Sequence, residues 1–282
     1  MKTNIEDTFG SYTAWKAEDD TWFISFLNGT ETLYLLEGTE KALLIDTGYA
    51  IGNLRSFVEK LTDKQILVIN THFHPDHAGG NGEWESVMMS KYAPDDFPSL
   101  AATVGDVNTL PHPDYEKVYL EDGTRIDLGG RVIQVKLAKN CHSNSSLYLL
   151  DQTKRMLFMG DEIDPSQVLL YDNSMNPDVA IAFCFLDVLS NFRQNLLWVK
   201  SHEADFDWLL GNHNGTPLAK RYVDDFLSLI AAIYAGTAKI HDRLYHSYLE
   251  TIPIAPQLCR VSFGMASILA YRHQLMEVFG KS

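Results

Sequence analysis

Basic charge, cysteine and long apolar runs are all scarce in this sequence, and each scarcity removes a class of protein. Lysine and arginine number 23 against 37 aspartates and glutamates, a formal net charge of −14. A nucleic-acid enzyme needs a basic track along which phosphates can lie. The chain offers none, so no nucleic-acid partner is expected, and the acidic clusters Glu18-Asp19-Asp20 and Pro94-Asp95-Asp96 read as solvated loops. Three cysteines, an odd number without paired spacing, argue against a disulfide framework and for a reducing compartment. No apolar stretch approaches the roughly 20 residues that span a bilayer. The polar Met1-Lys2-Thr3-Asn4-Ile5-Glu6-Asp7 lacks the apolar centre of a signal peptide, so a cytoplasmic protein with no membrane contact is expected. A Gly-x-Ser-x-Gly elbow is missing too, and residues 143–146, rich in serine, read as a loop.

What the chain does have is a core and a histidine motif. With 282 residues and 45% hydrophobic content it can bury a large interior. Residues 21–27, 32–37 and 41–46 read as strands, with Asn28-Gly29 as a hairpin turn, and residues 52–61 read as a helix. A second strand series covers 118–120, 125–128, 131–137, 146–150 and 156–159. Two strand series with helices between them suit sheets packed face to face and covered by helices.

The apolar run Ile66-Leu67-Val68-Ile69 leads into Thr71-His72-Phe73-His74-Pro75-Asp76-His77-Ala78-Gly79-Gly80. Side chains two apart on an extended backbone point the same way, so His72 and His74 can reach one ion, while Asp76 and His77, past the bend at Pro75, face a second. Imidazole nitrogen and carboxylate oxygen are the donors that zinc and similar divalent ions accept. Three further donors end strands: His142 on a strand-to-strand loop, Asp161 after Met156-Leu157-Phe158-Met159-Gly160, and His213 after Trp208-Leu209-Leu210-Gly211-Asn212. His112 lies between prolines; His202, His241, His246 and His273 read as helix surface.

In this motif and in the order of its outlying donors, the chain resembles the metallo-β-lactamase-fold hydrolases over roughly residues 20–215. That family carries a His-x-His-x-Asp-His segment, a distant His, a Gly-Asp after a strand and a last His near the end of the fold. The resemblance implies an α+β fold, a four-layer αββα sandwich of the metallo-β-lactamase and glyoxalase II kind, with the site at one edge of the two sheets. It implies His72, His74 and His142 on a first metal, Asp76, His77 and His213 on a second, and Asp161 between them. Asp46, in Leu43-Leu44-Ile45-Asp46-Thr47-Gly48, would support the site from behind. Two divalent metals, zinc before manganese or iron, would share a hydroxide that attacks a small-molecule substrate, with Asp76 orienting it or relaying its proton.

Departures from the family sharpen the expectation. The loop of the third histidine reads Lys139-Asn140-Cys141-His142-Ser143, without the family's usual glycine, and Cys141 reads as a small buried residue. Flavin-linked diiron relatives have Glu where this chain has His74, which favours hydrolysis. Lactonase relatives have Tyr three residues after the bridging Asp; this chain has Asp164 there, with Tyr171 nearby. A catalytic domain over 1–216 and a helical C-terminal extension over 217–282, packed on the same domain, are expected. Val223, Phe226, Leu227, Leu229, Ile230 and Ile233 form the buried face of that extension, which packs on the sheet, caps the groove or makes a homodimer contact. Residues 92–114 read as a long loop or short helices near the site. The expected activity is dinuclear hydrolysis of an ester, thioester, lactone or amide. The alternatives are an iron redox protein, a non-catalytic ligand-binding member of the fold, and a phosphodiesterase.

Overall fold

A computed structural model describes residues 5–6, 11–26, 31–96, 110–170, 184–245 and 255–280. The first half of the chain builds one eight-stranded sheet, β1 to β8 in sequence order. β1 (Ile5–Glu6), β2 (Tyr12–Glu18), β3 (Thr21–Phe26), β4 (Glu31–Glu37) and β5 (Lys41–Ile45) are antiparallel neighbours. After the short helix α1 (Leu54–Val58), β6 (Gln65–Ile69) joins β5 in parallel; helix α2 (Pro75–Ala78) follows, and β7 (Ser86–Ser90) and β8 (Glu116–Leu120) continue the parallel series.

The second half builds a five-stranded sheet. β9 (Arg125–Asp127), β10 (Val132–Leu137), β11 (Leu147–Asp151) and β12 (Met156–Gly160) pair antiparallel. β13 (Val168–Leu169) leaves for a third sheet, helix α3 (Phe185–Ser201) crosses over, and β14 (Trp208–Gly211) returns to lie parallel to β12, with Leu157 opposite Leu209.

Alternation along the central strands explains the layers. In β4, Leu33 and Leu35 face Leu54, Phe57 and Val58 of α1, whereas Tyr34 and Leu36 face the second sheet. In β11, Leu147 and Leu149 meet the first sheet while Tyr148 and Leu150 meet Phe192 and Leu196 of α3. Strands buried on both faces read as unbroken apolar runs, which is why the sequence shows few alternating patterns there. Each fully buried Leu or Phe contributes about 1.5–3 kcal/mol of transfer free energy. The result is the expected αββα sandwich.

The far end of the β10–β11 hairpin holds a buried charge. Arg131, 3% exposed, donates through Nε to Asp151 at 2.7 Å, and its Nη atoms reach the Asp20 carbonyl at 2.7 Å and Thr21 Oγ1 at 3.0 Å.

Several expectations need correction. The extension after residue 217 is not all helical. It holds α4 (Arg221–Tyr234), then β15 (Lys239–His241), β16 (Leu258–Phe263), β17 (Ala266–Tyr271) and the short α5 (Arg272–Phe279). These strands form a sheet with β13 in the order β13-β17-β16-β15. The helical reading rested on α4 alone; further on, Cys259 and Val261 alternate inward, and Gly264, at φ +60°, turns β16 into β17. His241 therefore ends a strand, not a helix, where its Nε2 lies 2.7 Å from Ser262 Oγ. The helix expected over 52–61 is limited to Leu54–Val58. Asp96 is not solvated: it is 9% exposed and accepts from the Ser145 N–H at 2.8 Å. The Asn28-Gly29 turn lies outside the described residues, though the strands around it pair with Phe26 opposite Glu31. Tyr171, His246 and most of the 92–114 loop also lie outside them.

Candidate metal centre

All the singled-out donors meet at one edge of the sandwich, beyond the carboxyl ends of β5, β6, β12 and β14. Two local devices pack the histidine motif against this edge. Asn70 Nδ2 donates to the His77 carbonyl at 2.9 Å. A Cβ on Gly80 would lie 2.4 Å from the Thr47 carbonyl oxygen, so glycine serves close approach here, within a 3-10 helix over Gly79–Glu83. Cys141 stands where the family has its glycine before His142, and the left-handed backbone falls one residue earlier, on Asn140 at φ +58°. Cys141 is buried, and Asn195 Nδ2 lies 3.0 Å from its Sγ.

The donors fall into two groups, His72 with His74 and His142, and Asp76 with His77, Asp161 and His213; within each group the donor atoms lie within 4.8 Å of one another. His74 Nδ1 stands 3.0 Å from both His72 Nε2 and His142 Nε2. Tetrahedral zinc with nitrogen ligands at about 2.0–2.1 Å separates those nitrogens by roughly 3.3 Å, so the spacing fits one ion. In the second group His213 Nε2 lies 3.2 Å from Asp161 Oδ2 and 3.3 Å from Asp76 Oδ2, and His77 Nε2 lies 3.3 Å from Asp161 Oδ1. Asp161 also faces the first group, with Oδ2 3.5 Å from His142 Nε2 and 4.0 Å from His72 Nε2. Its Oδ1 is buried and makes no hydrogen bond among the described residues. Orphaned buried carboxylate oxygens are rare and call for a cation.

The outer nitrogens of the rings fix which nitrogen faces inward. His77 Nδ1 lies 2.9 Å from Asp46 Oδ2, and His142 Nδ1 lies 2.9 Å from the Leu169 carbonyl. His72 Nδ1 lies 3.1 Å from Thr71 Oγ1, whose own proton goes to Asp46 Oδ2 at 2.8 Å. Each acceptor takes the outer N–H and leaves the opposite lone pair pointing into the site. Asp46 is fully buried and, at φ +67°, sits in left-handed backbone; the Thr71 N–H at 2.7 Å and Asn212 Nδ2 at 2.9 Å complete its partners.

Charge tells the same story. Burial lowers His72, His74 and His142 below the ordinary imidazole range, His142 to about 4, so their nitrogens are free to donate lone pairs. Burial opposes charge on His77 and His213, yet Asp161 and Asp76 outweigh it and raise both. Burial also opposes ionisation of Asp76, but His77 and His213 hold it at about 2. The carboxylates demand positive charge, and a divalent ion supplies what two protonated imidazoles otherwise provide.

Sequence reading passed over three neighbours. Glu31, 7% exposed, opens β4 across an antiparallel bridge from His213, and burial raises its carboxyl to about 8. Asn212 links Asp46 to the Thr32 carbonyl, the latter at 2.9 Å. Glu162 is 1% exposed directly after Asp161. A charge inside the apolar stretch from Met156 to Ile163 was the available signal for it.

With this geometry in view, the chain belongs to the metallo-beta-lactamase superfamily, whose sequence profile matches residues 29–178. Among curated proteins it is similar to "Acyl-coenzyme A thioesterase MBLAC2" of Homo sapiens, 25% identical over 173 residues, which is 51% of this chain and 59% of that protein. The Gallus gallus protein of the same name is 24% identical over 170 residues, covering 51% and 58%. The chain thus spans less than two thirds of these relatives. Among solved structures, a metallo-beta-lactamase from Pontibacter korlensis covers 78% of this chain and 99% of its own at TM-score 0.57 and 17% identity. The metallo-beta-lactamase FIM-1 from Pseudomonas aeruginosa, in a mono-zinc form, covers 78% and 95% at TM-score 0.55 and 13% identity. These likenesses establish the shared fold.

Proposed function

We propose that the chain is a dinuclear metal-dependent hydrolase of small esters, thioesters, lactones or amides, with thioesters first among them. The observation that carries this reading is the meeting of two donor groups at Asp161. Zinc suits these nitrogen and oxygen donors best, with manganese or iron as alternatives. His72, His74 and His142 would hold the first ion and Asp76, His77 and His213 the second, with Asp161 between them. When bound, such a pair supplies Lewis acidity, making water a nucleophile near neutral pH and polarising a carbonyl oxygen.

The chain's own residues do the rest. His74, Asp76, Asp161 and His213 are less deeply buried than His72 and His77, so substrate approaches from their side. Asp76 is placed there to orient the attacking water and pass on its proton. Asp46 holds His77 in the tautomer that faces inward. The preference for thioesters is supported by the name of the curated relatives. An acyl-coenzyme A is anionic and the chain is acidic, but Lys139, 4.0 Å above the Tyr92 ring, places a cation beside the His142 loop. A reducing, cytoplasmic setting belongs to the same reading and is supported by Cys141, Cys184 and Cys259, all free thiols. No described helix is long and apolar enough to cross a membrane.

Elemental mass spectrometry on protein purified without chelator, run beside a screen of acyl-coenzyme A thioesters, lactones, aryl esters and phosphodiesters, tests the reading. About two ions per chain and thioester turnover that chelation abolishes and zinc restores are expected. Protein that takes up no zinc, manganese or iron and turns over nothing would overturn it. A second prediction concerns Asp46→Asn, which presents an amide N–H to His77 Nδ1 and forces the ring proton toward the site. Zinc affinity of the second group should fall about 10–100-fold, read by competition with a chromophoric chelator.

A further inference from the structure

We propose that Glu162 and Asp164 are positioning residues that divide the two donor groups between them, Glu162 setting His142 in the first and Asp164 setting His213 in the second. The inference rests on the dinuclear reading above.

The geometry starts from a problem each outlying histidine shares. His142 and His213 lie on loops, far in sequence from the motif that supplies the other histidines, and a donor must be held within about 0.5 Å of its productive position to bind well. The His142 loop has no glycine and departs from regular backbone at Asn140. The His142 ring is tied at the Leu169 carbonyl, and the backbone is held at the His142 N–H, which donates to Glu162 Oε1 at 2.9 Å. Glu162 is in turn fixed from the other side, where the Tyr148 hydroxyl on β11 donates to Oε2 at 3.2 Å. A carboxylate this buried persists only when such donors surround it, so the residue is committed to this role.

Asp164 does the corresponding work on the other loop. Its Oδ1 accepts from the Ser166 N–H and from Ser166 Oγ, both at 2.6 Å, which locks its own rotamer. Its Oδ2 accepts from Asn214 Nδ2 at 2.8 Å. Asn214 directly follows His213 and takes φ +58°, a left-handed conformation that asparagine tolerates well, so this tie holds the turn that carries His213. Asp161, Glu162 and Asp164 thus lie within one short segment past β12: the first faces both groups, the second reaches back to His142, and the third reaches forward to the His213 loop. None of these ties passes through the others' partners, so the two positions can be weakened separately.

Zinc titration of the full chain, with elemental mass spectrometry and with His142→Ala and His213→Ala as references, reads the assignment without any substrate. Glu162→Ala should weaken one ion about 10–100-fold and reproduce the His142→Ala pattern; Asp164→Ala should weaken the other ion and reproduce the His213→Ala pattern. Glu162→Gln keeps an acceptor for the His142 N–H and should recover most of the affinity, whereas Asp164→Asn turns an amide N–H toward Ser166 or Asn214 and should recover less. If Glu162→Ala does not fold, Glu162→Asp, one methylene short of the His142 N–H, carries the same expectation. Amide hydrogen exchange should quicken at His142 in the Glu162 variant and at Asn214 in the Asp164 variant. Loss of the same ion in both variants, equal loss of both ions, or no loss in either would overturn the proposal while leaving the hydrolase reading intact. A wild-type chain that binds no ion would instead sink the hydrolase reading, and this inference with it.

Discussion

Asp161→Ala should leave one ion per chain and almost no turnover. Among the described residues, the substitution removes the only carboxylate that stands within 4.0 Å of ring nitrogens from both groups. Lewis-acid stabilisation of a transition state contributes several kcal/mol. Since each 1.4 kcal/mol is a factor of ten in rate, losing about 4 kcal/mol lowers kcat on the order of 10³-fold. Steady-state kinetics and elemental analysis on one preparation read both effects. His202→Ala is the control: its ring lies on Trp198, with centroids 4.2 Å apart, and metal content and rate should stay at wild type. An Asp161→Ala variant with two ions and undiminished turnover would show that Asp161 does not link the groups.

The largest effect on stability is expected from Arg131→Met. It leaves Asp151, fully buried, without its 2.7 Å partner and strips hydrogen bonds from the Asp20 carbonyl and Thr21 hydroxyl. Breaking one side of a buried ion pair costs about 3–5 kcal/mol, a large fraction of the roughly 5–15 kcal/mol that keeps a domain folded. At about 2–4 °C per kcal/mol for a chain of this size class, the melting temperature should fall by roughly 6–20 °C. The pair lies at the opposite end of the β10–β11 hairpin from His142, so metal content should hold at temperatures where the variant is folded. Arg131→Met combined with Asp151→Leu removes both charges and should recover much of the loss; a double variant no more stable than the single would refute the argument from the uncompensated charge.

Arg131 also marks where sequence reading stops. It shares the parity of the inward Ile133, Val135 and Leu137, a place where a charge needs partners, and only the fold brings Asp20, Thr21 and Asp151 around it. Local signals revealed more elsewhere. The apolar runs of β4, β5, β11 and β12 and the donors at strand ends were legible because a short apolar run and the polar residue that ends it are local in the sequence. So was the packing face of α4, where Phe226 and Ile230 are buried at helical spacing. The tail's sheet was not legible: β13 and β17 are a hundred residues apart, with Val168 opposite Ile268, and nothing local in Val168–Leu169 announces the partner. In the site, the inward donors could be named from their chemistry. Of their supports, Asp46 could be named from the resemblance and Glu162 carried a signal as a charge in an apolar stretch, but Asp164 and Asn212 are ordinary residues until the fold brings Asn214 and Asp46 beside them.

The parallel return of β14 beside β12 has a consequence for the order of events during synthesis. Gly160 stands opposite Gly211, so Asp161 and His213 become neighbours only after α3 has crossed the sheet. A ribosome releases His72, His74, Asp76 and His77 long before that, and this segment serves both groups while completing neither. The emerging chain therefore offers passing ions only a partial and pliable set of donors. Both groups are complete only once translation has passed residue 213 and β14 has docked beside β12.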